Sequence, residues 1–271
     1  MGTGESKDER RVNDDLVLME DDDSLSDALR SNLTRLIAYA KSADPDLQRQ
    51  VAEKLANEAV KPSRQAQIVE LGGLKLLLPL SKSRDIEVQR LAVHALANLS
   101  VDTKNQELMA EEGAIDILVD MLASTHPHLQ RQAAKALANL GVNTSNKERI
   151  CTAGGVVPLV LLASSKSRGV AVEAVAALAN LAVNDTSEIQ IVQEGGLGPI
   201  LDGAASPDRE LQSQCARALR NLSVNPLNKE RILAMGGKDT LVVLSRSNDD
   251  KTKQQASKAL ANLDLSVIGR K

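Results

Sequence analysis

Apolar residues recur along most of the chain at steps of three and four, the spacing of one face of an α-helix. Residues 105–145 show the pattern. Asn105–Glu112 reads as a short helix with Asn105 as its N-cap. Gly113 then interrupts it, because glycine takes the left-handed conformation of an inter-helix turn without a Cβ penalty. Ala114–Ala123 carries Ile115, Leu118, Val119 and Leu122 at helical spacing and predicts a second helix. Ser124–Pro127 predicts a turn, with Pro127 placed to open a helix. His128–Val142 predicts the third and longest helix, burying Leu129, Ala133, Ala136, Leu137 and Leu140.

This three-helix pattern is repeated. Ala-Leu-Ala-Asn-Leu occurs at 95–99, 136–140, 177–181 and 259–263, as Ala-Leu-Arg-Asn-Leu at 218–222, and in degenerate form at 54–58. The asparagines Asn57, Asn98, Asn139, Asn180, Asn221 and Asn262 follow one another at 41 residues, as do Gly72, Gly113, Gly154, Gly195 and Gly236. A period of about 40–47 residues made only of helices belongs to the armadillo and HEAT classes. Three helices per unit with glycine after the first resembles the armadillo family, over residues 24–271. The resemblance implies an all-α, right-handed α-solenoid of about six three-helix repeats, near 23–63, 64–104, 105–145, 146–186, 187–227 and 228–271. Each repeat buries its apolar face only against its neighbours. The first is atypical, as a capping repeat should be: Ser31 and Asn32 stand where the glycines align, and Glu58 replaces the usual leucine.

Composition agrees with thin layers. There is no Phe, no Trp and one tyrosine, Tyr39, so Leu, Ala, Val and Ile must fill the interior. Net charge is −3 with pI near 5.7, which argues against nucleic acid as the main partner. Residues 1–23 carry a net −6 and residues 24–271 a net +3, so an acidic tail, expected to be disordered, precedes a mildly basic repeat domain. Cys151 and Cys215 occupy non-equivalent repeat positions, so no bridge is expected and a reducing compartment is implied. No apolar run reaches the roughly 18–20 residues of a membrane span. The expectation is a cytoplasmic protein, with nuclear or membrane-associated residence as alternatives.

In the armadillo family the third helices line a concave groove, and their asparagines clamp the backbone of an extended ligand. A carboxamide offers both donor and acceptor, so it can pair with a peptide group whatever the ligand's side chains are. Four residues before the asparagines stand Glu53, His94, Lys135, Ala176, Arg217 and Lys258, and eight before stand Arg49, Arg90, Arg131, Val172, Ser213 and Gln254. The importin-α branch places tryptophan at the first of these positions; without any, nuclear-import cargo is not expected. The pattern is more similar to β-catenin and vacuolar-type scaffolds, whose basic grooves take acidic segments. Arg49, Arg90, His94, Arg131 and Lys135 form one positive stretch, and Arg217, Arg220 and Lys258 a second. Val172 and Ala176 leave a neutral patch for an apolar anchor. The expected binding set is therefore Arg90, His94, Asn98, Arg131, Lys135, Asn139, Val172, Ala176, Asn180, Arg217, Asn221, Lys258 and Asn262. A solvated helix face would carry the same charges, and the asparagines could equally brace neighbouring backbone.

The expected function is a scaffold or adaptor that binds an extended, acidic partner segment. The alternatives are a regulatory or targeting domain of a larger protein, as in plant U-box ubiquitin ligases and armadillo kinesins, or a membrane-tethered adaptor. Gly2 and Ser6 fit the loose N-myristoylation pattern, against which the acidic tail counts. Leu16–Asp23 joins a short apolar cluster to acid and could act as a pseudo-ligand for a basic groove. His126-Pro127-His128 lies in a turn with no third ligand nearby, and no nucleophile–base motif or phosphate loop is present. Neither catalysis, metal nor cofactor is expected.

Overall fold

The computed structural model describes residues 33–268, with side chains to residue 264. The elements are α1, described over 33–40, α2 (Pro45–Ala59), α3 (Pro62–Glu70), α4 (Leu74–Leu80), α5 (Ile86–Leu99), α6 (Thr103–Glu111), α7 (Ala114–Leu122), α8 (Pro127–Leu140), α9 (Thr144–Thr152), α10 (Val156–Ala163), α11 (Arg168–Leu181), α12 (Asp185–Gln193), α13 (Leu197–Ala205), α14 (Arg209–Leu222), α15 (Pro226–Ala234), α16 (Gly237–Leu244) and α17 (Asp250–Ile268). No strand occurs among the described residues. The expectations for the acidic tail, Gly2, Ser6, Leu16–Asp23, Ser31 and Asn32 lie outside them.

Local chemistry sets the boundaries. Each first helix from α6 onward is capped by an Asx residue one turn before its first buried position. Asp102 accepts from the Lys104 amide, Asn143 from Ser145, Asn184 from Ser187, and Asn225 from Leu227. The N-cap of α6 is thus Asp102 rather than Asn105. Asn105 is buried one turn inside, where Nδ2 donates to the carbonyls of Leu99 and Gln65, both at 3.0 Å. A buried amide that stitches two repeats together cannot also cap the helix. Pro127 opens α8 as expected.

The glycine turn is also as expected. Gly72, Gly113, Gly154, Gly195 and Gly236 have φ between +76° and +85°, the left-handed region that other residues enter only at a cost. The second glycine of the pair answers a different need. A Cβ on Gly196 would stand 2.8 Å from the carbonyl oxygen of Ile191, which its own N–H reaches at 2.9 Å.

The helices group into two units that divide within α7, at Ile117 and Leu118. In the first, α2 and α5 pack side by side as the largest helix pair. In the second, α8, α11, α14 and α17 stack in succession, and α11, α14 and α17 are each flanked by their second helix. Ala92, Ala95, Ala133, Ala136, Ala174, Ala216, Ala218 and Ala259 are fully buried along these third helices. Small side chains there let the helix axes approach closely, while Leu96, Leu137, Leu178 and Leu219 fill the layers between. Glu58 is 6% exposed in the place filled by Leu99, Leu140, Leu181 and Leu222 in later repeats. It is held by Lys61 at 3.0 Å and by the buried Arg64 at 3.8 Å.

Candidate functional site

Asn98, Asn139, Asn180, Asn221 and Asn262 are all half-buried on the exposed side of their third helices. In the second unit three of them do the same thing. Nδ2 of Asn180 donates to the Ala138 carbonyl at 2.7 Å, that of Asn221 to Ala179 at 2.7 Å, and that of Asn262 to Arg220 at 3.1 Å. Each acceptor precedes the asparagine of the repeat before, so the ladder braces one third helix against the next. Asn262 Nδ2 also donates to Ser223 Oγ at 3.1 Å, so a second amide hydrogen on Asn180 and Asn221 and the amide oxygens of Asn180 and Asn262 remain for a ligand. In the first unit, Asn98 Nδ2 lies 3.3 Å from Nε2 of His94.

The charges divide unequally. In the first unit Arg49 pairs with Asp85 at 3.0 Å and with Asp46 at 3.4 Å, and Arg90 is bound by Glu87. Those cations are compensated by acids in the first turns of α2 and α5, which also serve as caps and dipole partners there. The carboxyl of Asp85 is held below its ordinary range, first by the Val88 amide and further by Arg49.

In the second unit Arg131 is exposed and lies across Gly169, the second residue of α11, where a Cβ would meet its Cδ at 2.9 Å. Glu173 faces Arg131, Lys135 and Glu210; burial pushes its carboxyl upward, and the two cations only partly offset this. Val172 (5% exposed) and Ala176 (8%) are buried, so they offer almost no surface to an apolar anchor. Arg217 of the next repeat reaches back with Nη2 to the Ala176 carbonyl at 3.0 Å. Its Nε is buried with no hydrogen-bond partner, and desolvation together with nearby Arg220 lowers its pKa. Arg220 donates from Nε and Nη2 to the Asn221 amide oxygen, at 3.0 and 2.7 Å. Among the described residues no carboxylate is in ion-pair range of Arg217, Arg220 or Lys258.

Residues 30–111 and 75–255 match the family model described as Armadillo-like. The chain belongs to the armadillo-like family. Its fold is the all-α fold of armadillo repeat solenoids. Among solved structures, an engineered protein from a structural genomics consortium shares 34% identity over 87% of this chain and 97% of its own, with a TM-score of 0.80. A second engineered protein shares 31% identity over 95% of this chain and 69% of its own, at 0.82. A designed armadillo repeat protein in complex with the peptide (KR)4 shares 25% identity over 86% of this chain and all of its own, at 0.78. No curated protein matches significantly.

Two rows of this armadillo surface escape a reading of the sequence. Seven residues before the asparagine stand Gln132, Glu173, Gln214 and Gln255, and the amide oxygens of the three glutamines are buried without a partner. Three residues after it stand Val60, Val101, Val142, Val183 and Val224, each more than half exposed. Both rows keep the 41-residue step, so the repeat itself is the signal that could have found them. Cys151 and Cys215 are free thiols. Among the described residues no three side chains are grouped to hold a metal, and no helix is long and apolar enough to cross a membrane.

Proposed function

We propose that the protein is a non-enzymatic scaffold that binds an extended, acidic segment of a partner protein along the third-helix face, chiefly in the second unit. Arg217 carries the reading. A guanidinium that is partly desolvated, lies beside a second one and has no carboxylate partner gains from an anion brought to it. Arg220 and Lys258 extend the positive surface, and Arg131 and Lys135 continue it toward α8. The asparagine ladder supplies amide groups at the 41-residue step for ligand backbone, as suits a chain read by register. The first unit contributes less, because Arg49 and Arg90 already have carboxylate partners.

The peptide complex of the designed neighbour supports peptide binding as the mode, while the charge of this chain's own face favours the opposite ligand sign, as in β-catenin-type scaffolds. Two unbridged thiols suit the reducing cytoplasm. The test is fluorescence anisotropy with a labelled acidic 12-residue peptide and its basic counterpart. The acidic peptide is expected to bind the wild type and to lose at least about tenfold in affinity, 1.4 kcal/mol, in an Arg217→Glu/Lys258→Glu variant of unchanged helicity. Preference for the basic peptide, or indifference to the charge reversal, would refute the assignment.

A further inference from the structure

One position breaks the pattern of the first helices. At the 41-residue step stand Gln65, Gln106, Lys147, Glu188 and Lys229. In three repeats this side chain is a donor that ties down the turn following the preceding third helix. Gln65 Nε2 donates to the Ala59 carbonyl at 3.1 Å, Gln106 Nε2 to Ser100 at 3.2 Å, and Lys147 Nζ to Val142 at 2.8 Å. Glu188 cannot donate when ionised, so the corresponding turn at Ala182 and Val183 receives no such bond from it. Glu188 is only 8% exposed. It accepts from Asn225 Nδ2 at 2.7 Å, and the one charge acting on it is another acid, Asp185, while burial pushes its carboxyl up. A buried carboxylate with a like charge beside it and no cation is costly to keep ionised, and a cation brought from outside the chain would relieve that cost.

A place for that completion exists. Asp185 and Glu188 line a cleft of about 530 Å³ whose other walls include Val183, Val224 and Pro226. Val183 and Val224 are 63% and 65% exposed at its rim. We propose that this cleft binds the side chain of a lysine or arginine of a partner protein. The aliphatic stem would lie between the two valines, and the cationic head would meet Glu188 and Asp185. Apolar walls leading to a charged floor match that amphipathic shape and do not match a small inorganic cation. The inference stands apart from the anionic reading of Arg217: both sites could serve one partner segment of mixed charge, and each can fail alone.

The probe is the capped tripeptide Ac-Ala-Lys-Ala-NH2, with its uncharged norleucine analogue as control, titrated into the whole ¹⁵N-labelled chain. The lysine peptide is expected to bind in the millimolar range and shift the amides of Val183, Glu188 and Val224. The norleucine peptide should not, and Asp185→Asn/Glu188→Gln should weaken the lysine peptide at least about tenfold. Lysine and norleucine shifts of equal size, no shift at these amides, or equal shifts in the double variant would each overturn the proposal. Glu188→Gln alone is expected to raise the unfolding midpoint, since the amide regains the donor role of Gln65 and Gln106. A lowered midpoint would mean that the fold itself requires the carboxylate, and would also overturn it.

Discussion

Glu58 and Arg64 form a nearly solvent-free pair, 8% and 6% exposed at the side chain, at a position where Leu99, Leu140, Leu181, Leu222 and Leu263 stand in the later repeats. Removing one partner of such a pair strands the other, a loss of about 3–5 kcal/mol when nothing else compensates. Lys61 remains on Glu58, so Arg64→Met is expected to cost about 2–3 kcal/mol in urea unfolding. Adding Glu58→Leu should return stability to within about 1 kcal/mol of wild type, since the double variant restores the apolar layer. Additive losses would show that the two side chains act separately. Glu173 presents the opposite case, an acid held in its less favourable form. Because its folded pKa lies above the unfolded value, stability falls as pH rises through that interval and stays lowered above it. Glu173→Gln, which copies Gln132 and Gln214, should therefore raise the unfolding midpoint at pH 7. The gain should vanish by about pH 4, where the unfolded carboxyl is itself largely protonated. A gain that persists there would place the effect in packing instead.

At the scale of elements, the glycine pairs separate two causes that the sequence merges. Gly195 has φ +82° and open space where a Cβ would stand, whereas Gly196 has an ordinary backbone angle and no room. Gly195→Ala is expected to cost about 1–2 kcal/mol, the left-handed penalty. Gly196→Ala should cost about 2–3 kcal/mol by driving α12 and α13 apart at Ile191. Chemical denaturation of both variants tests the ranking, and equal, negligible losses would refute both accounts. The turns, the three helices per repeat and the atypical Glu58 are legible in the sequence because each depends on residues close along the chain and recurs from repeat to repeat. The site is legible only in outline. That Asn180 and Asn221 face outward follows from their period. That they also donate to the previous helix depends on the axis separation, which the alanines set but do not announce. Val172 and Ala176 read as an open patch because the side chain that reaches the Ala176 carbonyl belongs to Arg217, one repeat on. Of the two partners of Arg49, Asp46 is three residues away and legible in the sequence, whereas Asp85 belongs to the following repeat.

At the scale of the whole molecule, a repeat array holds each inner layer from two sides, so exposing one layer means breaking two interfaces. Cys215 reports on this directly. It sits on α14, which packs against both α11 and α17, and it is 0% exposed with its thiol pushed from the ordinary 9.0 to about 12. A rise of that size leaves about a thousandfold less thiolate before access is even considered. Cys151 lies near the end of a short first helix, is half-buried, and its thiol is raised first by burial while contact with Ser187 Oγ at 2.8 Å partly offsets that. Alkylation at pH 8 should therefore reach Cys151 while Cys215 stays protected. Denaturant should accelerate Cys215 with the steep dependence of cooperative unfolding and Cys151 with the shallow one of local fraying. If Cys215 reacts as fast as Cys151 in the absence of denaturant, α14 opens without its neighbours. The face that carries Arg217, Arg220 and Asn221 would then be remade at each opening instead of standing ready for a partner, because all three lie on that same helix.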